Sequence, residues 1–140
     1  MKILLAVDGS PFTKKMLAWL ATHDEWLCAP HDYTIVTVIP PIPPHAASMF
    51  PADELKSYYT DTAEAVFKPI RKFLAKHDLP TRYVTKTGHA PQVIGKLADK
   101  DKFDLVIMGS HGHGNFVNLI MGSVATQVMA HCKTPVLIVR

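Results

Sequence analysis

The chain contains 140 residues, a length that fits one domain with a single sizeable core. Hydrophobic residues make up 48% of it and charged residues 19%, a balance that excludes an intrinsically disordered chain. The net charge of +3 is scattered, with no basic block longer than Lys14-Lys15, and this argues against a nucleic-acid-binding surface.

Apolar segments alternate with turn residues in a way that predicts five strands and four helices. Short apolar or β-branched runs predict the strands, and apolar residues at three- or four-residue spacing predict the helices. In chain order these elements are strand Lys2–Val7, helix Pro11 to about Leu27, strand Tyr33–Ile39, helix Asp53–His77, strand Arg82–Lys86, helix Ala90–Lys100, strand Leu105–Met108, helix Gly122–His131 and strand Val136–Val139. Ser10 is a natural N-cap for the first helix, and Pro11 suits its first turn because an N–H there has no helical partner.

Prolines interrupt this pattern at two places. The segment Pro40–Pro51 holds five prolines in twelve residues, so we expect a semi-rigid surface loop with neither regular helix nor central strand. Pro69 falls inside the second predicted helix, where a proline removes the hydrogen bond to the carbonyl four residues earlier. We therefore expect a kink there, or a split of the helix near Ala65.

Neither a membrane segment nor a cysteine-based site is indicated. The apolar run at the start spans five residues, too few for a signal-peptide core, and no other stretch approaches the roughly 18 apolar residues of a membrane span. Cys28 and Cys132 form no ligand-spaced pair, which argues against both a zinc site and a disulfide framework. We expect a cytoplasmic protein with no membrane and no nucleic acid among its partners.

The alternation of strands and helices predicts an α/β fold. Right-handed crossovers give one open five-stranded parallel sheet with helices on both faces, Rossmann or flavodoxin-like, in a single domain over residues 1–140. The expected strand order is 3-2-1-4-5. Ligands bind such sheets beyond the carboxyl ends of the strands, where the winding reverses, which here lies between strands one and four. Two glycine-bearing loops, Asp8–Ser10 and Gly109–Ser123, should therefore meet at this point.

The loop after the fourth strand is dense in glycine. Gly109, Gly112 and Gly114 lie within six residues, and Gly122-Ser123 then opens the last helix. A strand, a glycine loop and a helix N-terminus in this order can turn backbone N–H groups toward an anion. The loop lacks the Gly-Lys-Ser/Thr of a P-loop, and Val117 stands where the dinucleotide fingerprint needs its third glycine. Both of those phosphate-binding motifs are therefore excluded.

The spacing of these residues resembles a known signature. Gly109-x2-Gly112-x9-Gly122-Ser123 is similar to the G-x2-G-x9-G-S/T pattern of the ATP-binding subgroup of the universal stress protein family. The opening ILLAVDGS, the IMGSHG after the fourth strand and the ending TPVLIVR resemble the same family, so the resemblance covers essentially the whole chain. It implies a stress-response or signalling module that binds ATP, or ADP or AMP, and it leaves Mg²⁺ open.

Nine residues form the expected binding site, hereafter the predicted set: Ala6, Asp8, Val38, Met108, Gly109, Gly112, Gly122, Ser123 and Val124. By resemblance, the strand ends among them hold the adenine. Gly109 and Gly112 would let the backbone approach ribose and phosphate, and the N–H groups of the last three would bind the phosphates. The Ser123 hydroxyl could also orient a phosphate-bound Mg²⁺. No catalytic residue is assigned.

Several of these residues also have an explanation that needs no ligand. Asp8 could be a turn former or an Asx cap for the first helix. Val38 and Met108 are apolar strand-end residues that core packing would explain. Gly109 and Gly122 could serve turns and helix packing, as in doubly wound proteins generally.

The histidines of the same loop raise the question of a metal. His111 and His113 have the His-x-His spacing that can chelate a transition metal. No third ligand is identifiable in the sequence, so no metal site is predicted. We expect exposed loop histidines near the phosphates instead.

Three functions remain open from the sequence. The leading one is an ATP-binding stress or signalling module, and a slow ATPase or phosphotransferase is the second, although no lysine, arginine finger or carboxylate pair can be assigned to catalysis. The third is a partner-binding domain with an empty pocket. Met49 and Phe50 of the proline loop could gate the nucleotide or dock an unknown protein partner. Because an apolar edge strand left bare invites aggregation, we expect a homodimer through Val136–Val139.

Overall fold

The computed structural model describes residues 1–27, 31–77, 79–114, 118 and 120–140. Each of the five predicted strands is present within these ranges, with ends that differ by no more than one residue. The elements in chain order are β1 (Lys2–Ala6), α1 (Pro11–Ala21), α2 (Asp24–Leu27), β2 (Asp32–Ile39), α3 (Pro44–Ala47), α4 (Ala52–Leu74), β3 (Thr81–Thr87), α5 (Ala90–Lys100), β4 (Leu105–Gly109), α6 (Ser123–His131) and β5 (Val136–Val139).

The first predicted helix was too long. It was expected to reach about Leu27, but α1 ends at Ala21 and α2 is a separate short helix. The hydroxyl of Thr22 donates to the carbonyl oxygen of Trp19 at 2.9 Å, and Nδ1 of His23 lies 2.8 Å from the same oxygen. In a continuing helix the carbonyl oxygen of Trp19 would accept the backbone N–H of the residue four positions later. Here two side chains contact this oxygen instead, and the helix ends.

The proline-rich segment contains one turn of helix, α3, where none was predicted. Pro44 occupies the first position of this turn, where the missing N–H would have had no helical partner. The N–H of Ala47 donates to the carbonyl oxygen of Pro43 at 2.9 Å and closes the turn. The prolines therefore start a helical turn here instead of excluding it, and Met49 and Phe50 after it are exposed.

Helix α4 is continuous through Pro69 and is not split at Ala65. The proline deprives the Ala65 carbonyl of its N–H partner, but both residues lie on the exposed face, where water can take its place. The inner face buries Phe67, whose ring lies 5.2 Å from that of Tyr83. Neither α4 nor any other helix of the described ranges is long and apolar enough to cross a membrane.

The sheet has the predicted order β3-β2-β1-β4-β5, and its pairings are parallel. In the central strand β1, Leu5 pairs with Ile35 of β2 on one side and with Ile107 of β4 on the other. The odd-numbered side chains of β1 pack into a core shared with α1 and α4, and the even-numbered ones into a core shared with α5 and α6. Helices therefore cover both faces, as the alternation of elements predicted.

Asp99, in the last turn of α5, fixes the turn between α6 and β5. Its carboxylate accepts the N–H of Lys133 at 3.1 Å and both the N–H and the hydroxyl of Thr134 at 3.0 Å. These hydrogen bonds hold the pKa of Asp99 below its usual value, and the one from the Lys133 N–H has the largest effect. The thiol of Cys132 also donates to this carboxylate, and burial raises the pKa of that thiol. The turn therefore delivers β5 to the sheet edge beside β4.

Candidate functional site

A cavity of about 230 Å³ lies at the carboxyl ends of β1 and β4, where the winding of the sheet reverses. The ends of β1, β2 and β4 and the first turns of α5 and α6 line it. All nine residues of the predicted set are among its lining residues. The fold therefore brings the two glycine-bearing loops together, as expected, while the binding role of these residues stays a prediction.

One half of the cavity has apolar walls. Ala6, Val38 and Met108 of the predicted set face it, and α5 adds Ala90 and Ile94. These two α5 residues are not in the predicted set. Their spacing of four residues puts both on one helix face, but the same spacing is expected of a helix that only packs on the sheet. A wall of this kind suits the flat apolar faces of an aromatic base.

Asp8 both lines the cavity and caps a turn. Its Oδ1 accepts the N–H of Ser10 at 2.9 Å and the hydroxyl of Thr13 at 2.9 Å, while the backbone N–H of Asp8 donates to that hydroxyl oxygen at 3.2 Å. The Asx-turn interpretation of Asp8 and its place in the site are thus compatible. Thr13, a buried residue of α1, also lines the cavity and is outside the predicted set. It lies three residues after the Ser10 N-cap, a spacing typical of capping contacts.

Two glycines of this region lie in close contact with other parts of the protein. A Cβ atom on Gly109 would lie 2.8 Å from Cβ of Phe12 and 3.2 Å from its backbone carbonyl, so β4 can approach α1 only through a glycine. A Cβ atom on Gly112 would lie 2.7 Å from Oδ2 of Asp8. Packing of β4 against α1 therefore explains the glycine at position 109. The glycine at position 112 lets the loop lie close to the Asp8 carboxylate at the end of β1.

Gly122 has a different role from the one predicted. Its N–H was expected to face the phosphates, but it donates to the carbonyl oxygen of Ser110 at 2.7 Å. Ser110 is buried, and its own N–H donates to the carbonyl oxygen of Val139 at 2.8 Å. These two hydrogen bonds connect the N-terminus of α6 through Ser110 to β5. Of the three N–H groups predicted to bind the phosphates, those of Ser123 and Val124 remain for an anion, since the first residues of a helix have no acceptor within it.

The two loop histidines hold the loop in place. Nε2 of His113 lies 2.7 Å from the carbonyl oxygen of Asp8, and because a carbonyl only accepts, this nitrogen carries the proton. The ring of His111 lies 4.9 Å from that of Phe12, and its Nδ1 lies 3.0 Å from the hydroxyl of Ser110. Over the part of the chain that the structure describes, no three His, Cys, Asp or Glu side chains are grouped to hold a metal ion.

The sequence model that describes the universal stress protein family matches this chain over residues 1–140. The chain belongs to the universal stress protein family. Curated relatives include the universal stress protein Slr1230 of Synechocystis, 30% identical over 139 residues, which are 99% of this chain and 42% of the relative. The universal stress protein MJ0577 of Methanocaldococcus jannaschii is 32% identical over 88 residues, 63% of this chain and 54% of the relative. The aligned residues span about half the length of each of these two relatives. A universal stress protein of Thermus aquaticus is 29% identical over 99% of this chain and 97% of its own length.

Solved structures of the family have the same fold. The structure of MJ0577 superposes with a TM-score of 0.82 at 27% identity and covers 99% of this chain and 94% of its own. A family protein of Arabidopsis thaliana with AMP bound has a TM-score of 0.70 at 12% identity, over 99% of this chain and 90% of its own. A family protein of Archaeoglobus fulgidus in complex with dAMP has a TM-score of 0.69 at 17% identity, over 100% of this chain and 98% of its own. Adenine nucleotides therefore bind to structural relatives of this chain.

Proposed function

We propose that this universal stress protein binds an adenine nucleotide, ATP or else ADP or AMP, and acts as a stress-response or signalling module in the cytoplasm. The observation that carries the proposal is one cavity at the reversal of the sheet that joins an apolar wall to the N-terminus of α6. Relatives with AMP and dAMP bound support the same ligand class.

The two halves of the cavity fit the two halves of a nucleotide. The apolar wall of β1, β2, β4 and α5 would hold the base, and Asp8 at the mouth of β1 would offer a carboxylate oxygen to polar atoms of the ligand. The N–H groups of Ser123 and Val124 and the Ser123 hydroxyl would hold the phosphate next to β4, where the helix dipole favours negative charge. The Ser123 hydroxyl would also help to orient a phosphate-bound Mg²⁺.

Equilibrium titration of the purified chain by calorimetry tests this function. We expect saturable binding of at least one of AMP, ADP and ATP with a dissociation constant below about 1 mM. Inorganic triphosphate, which lacks the base, serves as the control and should not compete at the same concentration, because half of the proposed contacts are apolar. If all three nucleotides fail to bind at millimolar concentration, the proposed function is wrong.

We also propose that the protein is a homodimer paired through β5. This strand lies at one end of the sheet and bonds only to β4 among the strands described, and three of its four residues are only partly buried in the single chain: Val136, Leu137 and Ile138. A second copy would cover this apolar edge. Sedimentation velocity at micromolar concentration should give the mass of two chains, and a strict monomer would contradict the dimer.

A further inference from the structure

We propose that Ala90 sets the size of the base that the cavity admits, so that the site selects a purine over a pyrimidine by shape. This inference rests on the proposed nucleotide-binding function of the same cavity. It adds a selectivity among bases and assigns it to a residue in the first turn of α5, outside the predicted set.

Most of the apolar wall belongs to the core of the protein. Ala6, Ile94 and Met108 line the cavity, are at most 8% exposed, and pack in the core shared with α5 and α6. A change of side-chain size at these positions would disturb the packing of the helices against the sheet. These residues therefore make the wall apolar, but the packing of the fold dictates their size.

Ala90 is less constrained because it lies at the margin of this core. It lines the cavity, it is only partly buried, and its side chain is a single methyl group. Val38 at the end of β2 is also partly buried, but it already carries a branched side chain. A longer side chain at position 90 would extend into the empty space where the base is proposed to lie.

The start of α5 is held in place, so the wall at Ala90 cannot retreat from a larger group. The N–H of Gly88 donates to the carbonyl oxygen of Ile39 at 3.1 Å, which ties the turn before α5 to the end of β2. Gly88 has a φ of 146°, and a Cβ atom there would lie 2.8 Å from Cγ2 of Val93. Pro91, in the first turn, is fully buried and has a fixed φ. A rigid wall of this kind discriminates between ligands by shape.

An apolar wall separates bases by the area of their contact with it. Adenine and cytosine both present an amino group beside a ring nitrogen, so hydrogen bonds to that edge would serve either base. The purine has a second ring and therefore buries more apolar surface between α5 and the strand ends. Because the cavity holds only about 230 Å³, a side chain that enters it would act first on the larger base.

Calorimetric titration of the full chain with AMP and CMP, and with ATP and CTP, tests the selectivity. The members of each pair share the sugar, the phosphates and the charge, so their difference reports the base. We expect the adenine member to bind at least about fivefold more tightly than the cytosine member. Equal affinities within each pair would overturn the selectivity and leave the proposed function intact. Failure of AMP, ADP and ATP alike to bind would overturn both.

Ala90→Leu tests whether position 90 sets this preference. The longer side chain should weaken AMP binding at least about tenfold and lower the ratio of AMP to CMP affinity at least about threefold. The midpoint of urea unfolding should not fall, because the added atoms enter empty space and leucine is a good helix former. If leucine does lower the midpoint, the smaller Ala90→Val decides, with the same changes expected at a smaller size.

Gln92→Leu is the matched control, because Gln92 is exposed in the first turn of the same helix and does not line the cavity. Its affinities for AMP and CMP should stay within about twofold of those of the original chain. The role of Ala90 would be overturned by an unchanged ratio of AMP to CMP affinity in the position-90 variants. An equal loss of AMP affinity in Gln92→Leu would overturn it as well.

Discussion

Replacing Gly122 by valine is expected to weaken adenine-nucleotide binding by at least about tenfold and to lower the free energy of unfolding by about 1–3 kcal/mol. A Cβ atom at this position would lie 3.0 Å from the carbonyl oxygen of Ser110 and 3.1 Å from Cα of His111. Both are backbone atoms, so the relief must come from a shift of the α6 N-terminus away from β4. Even a shift of a few tenths of an ångström strains the hydrogen bond between Gly122 and Ser110 and moves the N–H groups that would hold the phosphate.

Calorimetric titration together with urea unfolding measures both effects of Gly122→Val. Gly122→Ala adds the same Cβ without the branched methyl groups, and it should give smaller losses of nucleotide affinity and of unfolding free energy. The matched control is Ala130→Val, which adds a valine to an exposed position of the same helix far from its N-terminus. Unchanged affinity in Gly122→Val would show that the position of this helix end is not needed for the ligand.

Replacing Ile107 by alanine is expected to lower the free energy of unfolding by about 2–5 kcal/mol. Ile107 is fully buried, at 0% exposure, in a strand that pairs with β1 on one side and β5 on the other. The truncation leaves a cavity that the paired strands cannot close, and the loss is large against the roughly 5–15 kcal/mol that stabilise a typical domain. Chemical denaturation followed by circular dichroism gives the difference.

Ile120→Ala is the matched control for Ile107→Ala, because the same side-chain atoms are removed from a residue that is 78% exposed. We expect a change within about 0.5 kcal/mol there. A loss at Ile120 as large as that at Ile107 would mean that Ile120 is covered by another surface, and burial in the single chain would then not explain the loss at Ile107.

The strands and their order could be predicted from the sequence because they depend on local patterns. The apolar run before Gly109 and the β-branched run before Pro40 each predict a buried strand, and both strands formed where expected. The handedness of the crossovers then leaves few arrangements of five parallel strands. The error at the end of α1 arose because the side chains of Thr22 and His23 compete with the backbone for a hydrogen bond. The error in the proline-rich segment arose because a proline also suits the first position of a helical turn.

The location of the candidate site was also accessible from the sequence. The reversal of the winding and the spacing of the glycines both point to the loops after β1 and β4, and the nine predicted residues line the cavity found there. The α5 residues Ala90 and Ile94 could not be assigned in advance. The same apolar spacing serves a helix that only packs on the sheet and one that also closes a pocket.

The sequence by itself determined the fold class, the strand order and the pair of loops that meet, since these follow from periodicity and chain connectivity. Only the tertiary structure decided what each loop residue contacts. Gly109 is needed for the approach of α1, and the N–H of Gly122 bonds to Ser110 and is not available to a phosphate. Such contacts join segments far apart in the chain, and a shift of an ångström changes which N–H groups stay free for a ligand.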